Sequence, residues 1–377
     1  MTLVLGAWTL RGKGGDFKIL EKSIKLVHVL AIFATLSWAF LLFKNQNNKD
    51  FKMGKQIQFN QTGGFNVLEI AGVDIPAPQV DEVQVAFHAW GLNCAEIKYY
   101  SEQYTNSIPV RLGYDGAGVV RAVGEHVSHV KVGDKVSVIS DFLLTNTYIE
   151  VANLPANAVI KYSENLSFEQ AAASWMAFVK AYKTLIELAN LQAGEYVVLR
   201  IASRSVSLAT IQIAKMQGAI VIALSPTHAE GDILLTKGAD FALTTQDNIT
   251  VRLLEITKGQ GVDTVFDPFC GEDAYAIFRA MAPNGRYFIY AALSHEDMNI
   301  PTSEILSKNL TLRGYGLSRI SADVGSLKRA KAYICQGLAS GRLYPEIDRV
   351  FPFAKIRQAY DYAIKNSVQI GRVVITL

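Results

Sequence analysis

The stretch from Glu195 to Ser225 constrains the fold of this chain more than any other. Residues 196–200 are short, β-branched and apolar on both faces, which is typical of a strand buried inside a parallel sheet. Apolar residues recur at helical spacing from Leu208, Gly218 follows where a helix can end in the left-handed conformation, and residues 220–224 form a second apolar run. The pattern predicts a βαβ unit, with which a doubly wound nucleotide-binding fold begins.

The turn of this unit departs from the usual phosphate-binding pattern. Dinucleotide sites have glycines after the first strand, because backbone N–H groups must approach a pyrophosphate closely at a helix N-terminus. Residues 201–207 read Ile-Ala-Ser-Arg-Ser-Val-Ser and contain no glycine. From the pattern alone, the unit is therefore either a nucleotide site or a structural crossover in an α/β domain.

The rest of the chain divides into β-rich and alternating regions. Residues 82–88 alternate with period two, and short strands joined by Gly-Asp-type turns follow, so the first lobe is mainly β. Two helical patterns, at 167–173 and 176–189, precede the βαβ unit, and strand and helix patterns alternate after it. This alternation implies a parallel sheet with helices on both faces. A length of 377 residues is sufficient for two such lobes.

Residues 1–52 have a different character from the rest of the chain. They hold eight basic and three acidic residues, and Leu26–Phe43 is an apolar run broken by only three polar residues. Its 18 residues are enough to span a bilayer, for which about 17–25 are needed. The absence of a small-residue cleavage site favours an uncleaved anchor over a signal peptide. The alternatives are a buried helix, or an untranslated leader with Met53 as the true start.

Charge and cysteine content exclude several function classes. The formal net charge is only +3, and the body without the leader is nearly neutral, which gives no concentrated basic face for nucleic acid. Cys94, Cys270 and Cys335 are far apart and in no C-x-x-C spacing, which argues against a disulfide framework or a thiolate zinc site. We therefore expect a cytoplasmic body in a reducing compartment.

Several short motifs together resemble the medium-chain dehydrogenase/reductase superfamily, in its zinc-free quinone oxidoreductase-like branch. The motifs are Gly91-Leu-Asn93, Leu112-Gly-Tyr-Asp-Gly-Ala-Gly-Val-Val120, Ala122-Val-Gly-Glu-His-Val127, Lys131-Val-Gly-Asp-Lys-Val136, Ala209-Thr-Ile-Gln-Ile-Ala-Lys215, Gly238-Ala-Asp240, Pro283-Asn-Gly-Arg286 and Lys308-Asn-Leu-Thr-Leu-Arg-Gly314. The resemblance covers Met53 to Leu377. It implies an α/β protein with a mainly β, GroES-like catalytic lobe (53–173 and 314–377) and a doubly wound, parallel-sheet Rossmann cofactor lobe (174–313), after a leader (1–52).

The resemblance also implies two catalytic positions and no metal. Zinc-dependent members hold their metal with a Cys and a Gly-His-Glu stretch, and the matching positions here are Asn93 and Gly113-Tyr114-Asp115. An amide and a phenol cannot replace thiolate and imidazole around Zn²⁺. Tyr104 matches a tyrosine that donates a proton or polarises a carbonyl in related enoyl reductases. The alternatives are that Tyr104 is an ordinary loop aromatic and that Asn93 only stabilises a turn.

The cofactor implied by the resemblance is NADPH, with NADH also possible. The predicted phosphate contacts are Ser203, Arg204, Ser205 and Val206, and Arg204 could either contact phosphate oxygens directly or obstruct the site. No acidic residue that would select NAD follows the second strand. The side chains predicted to contact a 2′-phosphate are Ser225, Thr227 and His228.

These features predict a zinc-independent NAD(P)H-dependent oxidoreductase that reduces quinones, enones or related carbonyl compounds. We expect a small-molecule substrate, an oligomer of identical chains, and a possible membrane contact through residues 26–43. The first alternative is a pseudoenzyme that keeps the fold as a binding or assembly module, which the glycine-free turn favours. The second is a membrane-tethered partner protein that uses the apolar N-terminal run.

Overall fold

A computed structural model describes residues 52–61, 65–93, 110–139, 147–201, 204–294, 297–316, 323–366 and 370–377. Contacts divide the chain into Met1–Lys52 and Met53–Leu377, and the second unit is the one described here. The predicted membrane run 26–43, together with Tyr104 and Ser203, lies outside the described residues and stays a prediction. Among the residues that are described, no helix is both long and apolar enough to cross a bilayer.

The mainly β lobe is built from strands at both ends of the described chain. They are β1 (Lys52–Phe59), β2 (Leu68–Ile75), β3 (Glu82–Gly91), β4 (Val110–Arg111), β5 (Asp115–Val123), β6 (Lys135–Ile139), β7 (Val151–Pro155), β8 (Val159–Lys161) and, after the second lobe, β15 (Ile347–Pro352) and β16 (Arg372–Thr376). The large sheet has the order β15-β16-β3-β5-β6-β8, with β7 also paired to β3, and a small sheet has the order β2-β1-β4. The C-terminal strand β16 therefore lies beside β3 from the opposite end of the sequence.

The second lobe is a six-stranded sheet whose strands are all parallel. Its strands are β9 (Tyr196–Arg200), β10 (Ile220–Ser225), β11 (Phe241–Thr244), β12 (Val262–Asp267), β13 (Met281–Ile289) and β14 (Thr311–Gly314). The order β11-β10-β9-β12-β13-β14 reverses direction between β9 and β12. This is the doubly wound topology that the sequence predicts, and ligands of such sheets bind outside the carboxyl ends of the strands where the order reverses.

Helices cover both faces of the parallel sheet. The α-helices of the described chain are α1 (Phe168–Tyr182), α2 (Arg204–Met216), α3 (His228–Thr236), α4 (Ile249–Ile256), α5 (Asp273–Arg279), α6 (Thr302–Lys308), α7 (Val324–Ala339) and α8 (Ile356–Lys365). Of these, α8 packs against β15 and β16, and α1 also packs against β3 and β5. Gly218 after α2 has a φ of 76°, as predicted for a helix end. The two helical patterns predicted at 167–173 and 176–189 are instead one element, because α1 continues directly into a π-helix at Lys183–Leu188.

Helix α1 joins the two lobes through a shared hydrophobic core. Ser167 caps its N-terminus in a reciprocal capping box with Gln170. One cluster of buried apolar side chains is packed around this helix. It contains Ala89 and Val374 of the large sheet, which is called the catalytic sheet below, together with Leu199 and Phe266 of the parallel sheet. Side chains on α1 are thus held where the two lobes meet, which positions the candidate site.

Candidate functional site

A cluster of polar side chains forms where three strands of the catalytic sheet meet. Asn93 follows the end of β3, while Asp115 and Arg372 begin β5 and β16, which both pair antiparallel with β3. Arg372 Nη2 donates to Asn93 Oδ1 at 2.7 Å and to Asp115 Oδ2 at 2.5 Å. Because a guanidinium can only donate, this contact fixes which side of the Asn93 amide faces Arg372.

Close packing at the end of β3 explains the glycine of the Gly91-Leu-Asn93 motif. A Cβ built on Gly91 would lie 2.8 Å from the carbonyl oxygen of Ala172 in α1 and 3.0 Å from Arg372 Nε. The Tyr148 hydroxyl donates to the Gly91 carbonyl at 3.0 Å. Glycine therefore lets α1 and the arginine side chain approach the strand that carries Asn93.

Asp115 is a buried carboxyl with a strongly perturbed pKa. Its residue is 1% exposed, and burial raises its pKa to about 6, although the Arg372 charge and a hydrogen bond with Asn93 act in the opposite direction. The carboxyl therefore titrates near neutral pH, and its ionised form depends on Arg372.

The residues at the positions that match the zinc ligands of zinc-dependent relatives do not fit zinc. Asn93 and Asp115 both contact the Arg372 guanidinium, so a positive charge already lies between them. Tyr114, which stands where zinc-dependent relatives have histidine, is 2% exposed. Within the ranges that the structure describes, no group of three His, Cys, Asp or Glu side chains could hold a metal ion.

Lys180 joins this cluster from α1, and the sequence analysis missed it. Its ammonium lies 5.9 Å from the ring centroid of Tyr290, which follows β13. Burial lowers the pKa of Lys180 to about 8, the nearby Arg372 lowers it further, and Asp115 opposes them. Apart from Lys180, all residues of α1 from Ala171 to Tyr182 are buried. A lysine inside such an apolar helical run was the sequence signal that could have identified it.

Two tyrosines that follow strands of the parallel sheet lie near Lys180. Tyr290 stacks on Phe266 with ring centroids 4.1 Å apart, and its buried hydroxyl has no hydrogen-bond partner among the described residues. The Tyr315 hydroxyl, after β14, hydrogen-bonds Thr184 and lies 3.4 Å from the Lys180 carbonyl oxygen. Burial raises the pKa of both phenols. Both phenols therefore stay neutral; the Tyr290 ring lies beside the Lys180 ammonium, whereas the Tyr315 hydroxyl contacts the Lys180 backbone.

The predicted phosphate turn is described only in part. Helix α2 begins at Arg204, whose side chain lies outside the described part, as does all of Ser203. Ser205 is half-buried and Val206 is 2% exposed. Ser207 is fully buried, and its hydroxyl has no partner among the described residues. A helix N-terminus thus follows the buried strand β9, as a dinucleotide phosphate requires, and Ser205 is the described side chain nearest to that role.

An ion-pair network at the ends of β9 and β12 was also missed. Arg200 Nη1 contacts Asp267 Oδ2 at 3.0 Å and Nη2 contacts Asp273 Oδ2 at 2.9 Å, and the guanidinium lies 5.2 Å from the Phe269 ring centroid. The Tyr287 hydroxyl also donates to Asp267. A cavity of about 320 Å³ adjoins this network at the point where the strand order reverses; it is lined by Arg200, Phe269, Gly271, Glu272, Asp273 and Ser294.

The three residues predicted to contact a 2′-phosphate differ in exposure. Ser225 ends β10 and is fully buried, and its hydroxyl donates to the carbonyls of Thr227 and Leu243 at 2.8 and 3.2 Å. Thr227 is exposed and caps α3 by accepting from the Glu230 N–H at 3.3 Å, and His228 is exposed beside it. Thr227 and His228 are therefore the two that solvent, and hence a ligand, can reach.

Comparison with known proteins agrees with this architecture. A family model described as alcohol dehydrogenase GroES-like domain matches residues 79–161, and one described as zinc-binding dehydrogenase matches residues 205–328. The quinone oxidoreductase of Sus scrofa is 28% identical over 330 residues, covering 86% of this chain and 98% of that protein.

Solved structures give the same result for the fold. A structure described as an NAD-dependent alcohol dehydrogenase has a TM-score of 0.78 and 26% identity, covering 86% of this chain and 99% of that one. The Escherichia coli quinone oxidoreductase, solved in complex with NADPH, has a TM-score of 0.76 and 24% identity, covering 86% of this chain and all of the other. Each of these three matches leaves about 14% of this chain uncovered.

Proposed function

This chain belongs to the medium-chain dehydrogenase/reductase superfamily, and on that premise we propose that it is a zinc-independent, NADPH-dependent reductase of quinones, enones or related carbonyl compounds. The observation that carries the proposal is the Arg372 guanidinium bound between Asn93 and Asp115. A fixed organic cation stands where zinc-dependent members use a metal. The Asn93 amide N–H beside it is a donor suited to a carbonyl oxygen, and the cluster lies near the core that the two lobes share.

The residues present fit a nicotinamide dinucleotide. The strand β9, the N-terminus of α2 and the cavity at the strand-order reversal form the crevice in which doubly wound sheets bind such ligands. Backbone N–H groups at the start of α2, with Ser205, would hold the pyrophosphate, and Thr227 and His228 would contact a 2′-phosphate. When bound, the reduced cofactor supplies a hydride.

The side chains of the catalytic lobe would bind and orient the substrate. Without a Lewis acid, oxidation of simple alcohols loses the main means of stabilising an alkoxide, whereas reduction of a conjugated C=C or a quinone requires hydride delivery and a proton. Arg372 holds Asn93 in one orientation, so the amide is a preorganised contact for the substrate or for the nicotinamide ribose. Tyr104, which the sequence predicts to polarise a carbonyl or donate a proton, lies outside the described residues, so its role stays a prediction.

Fluorescence titration of the full-length protein with NADPH, and with NADH in parallel, tests the proposal. We expect saturable binding of NADPH, tighter than that of NADH, and oxidation of NADPH on addition of 1,4-naphthoquinone or cyclohexenone. Elemental analysis of the same active sample should find no stoichiometric zinc. Absence of saturable binding of either nucleotide would favour the pseudoenzyme alternative and reject the reductase.

A further inference from the structure

Lys180 carries a positive charge that no described side chain neutralises. No hydrogen bond or ion pair joins its ammonium to any residue that the structure describes, although the neighbouring lysine Lys183 pairs with Glu187 at 2.6 Å. The Asp115 carboxylate could have served as a partner, but it is bound to Arg372. A partly buried lysine usually has a partner, so an unpaired one beside the Arg372 cluster indicates that a ligand group serves as its partner.

The groups near the Lys180 ammonium come from three elements. They are Asp115 of β5, Arg372 of β16 and Tyr290 after β13. Two cations and one carboxylate leave the cluster with an excess of positive charge, and the phenol is neutral. Such a cluster favours a negative charge that develops on a ligand oxygen inside the cleft.

We propose that the Lys180 ammonium binds the carbonyl oxygen of the substrate and donates the proton that completes its reduction. This inference rests on the proposed reductase function. In an enone, the β-carbon receives hydride from the reduced nicotinamide, the C=C pair shifts towards the α-carbon and the C=O pair moves onto oxygen. Lys180 donates its proton to that oxyanion, the enol becomes the ketone, and water returns the proton to the lysine. The nicotinamide is oxidised and the substrate gains one hydride and one proton.

The burial of Lys180 suits this role. An ammonium with a pKa of about 8 is protonated at neutral pH and is a stronger acid than an exposed lysine. The Tyr290 ring lies 5.9 Å from the ammonium and leaves it free to bind a ligand oxygen. Lys180 would therefore be a catalytic residue.

The decisive comparison is between Lys180→Met and Lys183→Met. Both remove a lysine from adjacent turns of one helical segment, but Lys183 contacts Glu187 and Ser326, away from Asp115 and Arg372. With saturating NADPH and cyclohexenone, we expect Lys180→Met to lower kcat by about 10²-fold, and Lys183→Met to retain wild-type kcat within about twofold. The wild-type kcat should fall as pH rises through about 8, and Lys180→Met should lack this limb.

A binding measurement separates this role from activity. In the presence of NADP⁺, the wild type should bind 4-nitrophenol as its phenolate, detected by absorbance, and Lys180→Met should bind the phenolate about tenfold more weakly, which is about 1.4 kcal/mol. NADPH affinity should be unchanged in both variants. Thermal unfolding checks that each variant folds, and Lys180→Arg, which keeps the charge, should restore phenolate binding.

Three other outcomes are possible, and each would reject either the role of Lys180 or the proposed function. If Lys180→Met keeps wild-type kcat and phenolate binding while the wild type is an active reductase, the role of Lys180 is wrong and the proposed function stands. If the variant loses NADPH binding instead, Lys180 belongs to the cofactor site and the inference is also wrong. If the wild type binds no NADPH, the proposed function fails, and this inference fails with it.

Discussion

Two buried arginines, one in each lobe, have opposite charge environments. Arg200 is 5% exposed and contacts two carboxylates, Asp267 and Asp273, so its cluster has an excess of negative charge. Arg372 is 6% exposed and contacts one carboxylate, Asp115, and the neutral amide of Asn93, with Lys180 nearby. The two arginines therefore differ in how many carboxylates neutralise them.

The difference indicates which ligand each cluster can accept. The Arg372 cluster has an unpaired cation, and Arg372 Nε is a buried donor without a partner among the described residues, so a ligand oxygen would complete it. The Arg200 guanidinium is already neutralised, and a phosphate beside Asp267 and Asp273 would be repelled. A pyrophosphate in this lobe must therefore be bound mainly by backbone N–H groups at the start of α2, and Arg200 acts as a structural anchor.

The largest expected effect concerns the ion pair between Arg200 and Asp267. Asp267→Asn leaves Arg200 with only the partly exposed Asp273 and weakens the contacts from the Tyr287 hydroxyl and the Phe269 N–H. Removing one partner of a buried pair costs about 3–5 kcal/mol, and we expect the free energy of unfolding in urea to fall by this amount. The matched variant Asp273→Asn, at a side chain 37% exposed, should cost less than about 1 kcal/mol. Equal effects would show that Arg200 is not anchored mainly by Asp267.

The second prediction uses the perturbed pKa of Asp115. Its folded-state pKa of about 6 lies above the ordinary value of 3.8, so its contribution to stability is fully present below pH 3.8 and is lost as pH rises through 6. Two pKa units correspond to about 2–3 kcal/mol. The difference in unfolding free energy between wild type and Asp115→Asn should change by that amount between pH 4 and pH 7, with the wild type relatively more stable at pH 4.

A second carboxyl provides a control of opposite sign. Asp134 hydrogen-bonds Lys161, and this bond holds the pKa of Asp134 below its ordinary value. Its contribution is therefore present above the ordinary pKa and is lost as pH falls. The wild type should lose stability relative to Asp134→Asn on acidification. The same sign for both carboxyls would contradict the proposed charge environment of Asp115.

The smallest expected effect tests backbone binding of phosphate. Arg204→Gly should tighten NADPH binding, because glycine removes side-chain bulk between the α2 N-terminus and the pyrophosphate. One recovered charge-assisted hydrogen bond corresponds to at least about a tenfold change in affinity, measurable by fluorescence titration. A tenfold weakening would instead identify the Arg204 guanidinium as a phosphate ligand. Ser207, which the sequence grouped with this turn, is fully buried and is left unchanged.

Much of the fold could be predicted from sequence because its signals are local. The βαβ unit and the alternation of strands and helices after it follow from apolar periodicity within short windows. Local patterns failed where packing overrode them. Pro283, Asn284 and Gly285 read as a turn before a strand, yet they lie inside β13, whose pairing with β12 shifts register there. The break predicted within the helical patterns near residue 175 is likewise absent, because continuous burial stabilises α1.

The sequence by itself thus determined the fold class, the order of the lobes and the position of Asn93 through its motif. Only the tertiary structure decided the charges around that residue. Arg372 lies 257 residues from Asp115 along the chain, and it meets Asp115 because β16 and β5 both pair with β3. No local pattern encodes such a pair, because a charged residue at the start of a strand looks like an ordinary exposed strand end. Its role arises when long-range strand pairing removes water from it and places it against the one carboxylate, Asp115, while Lys180 nearby stays unpaired.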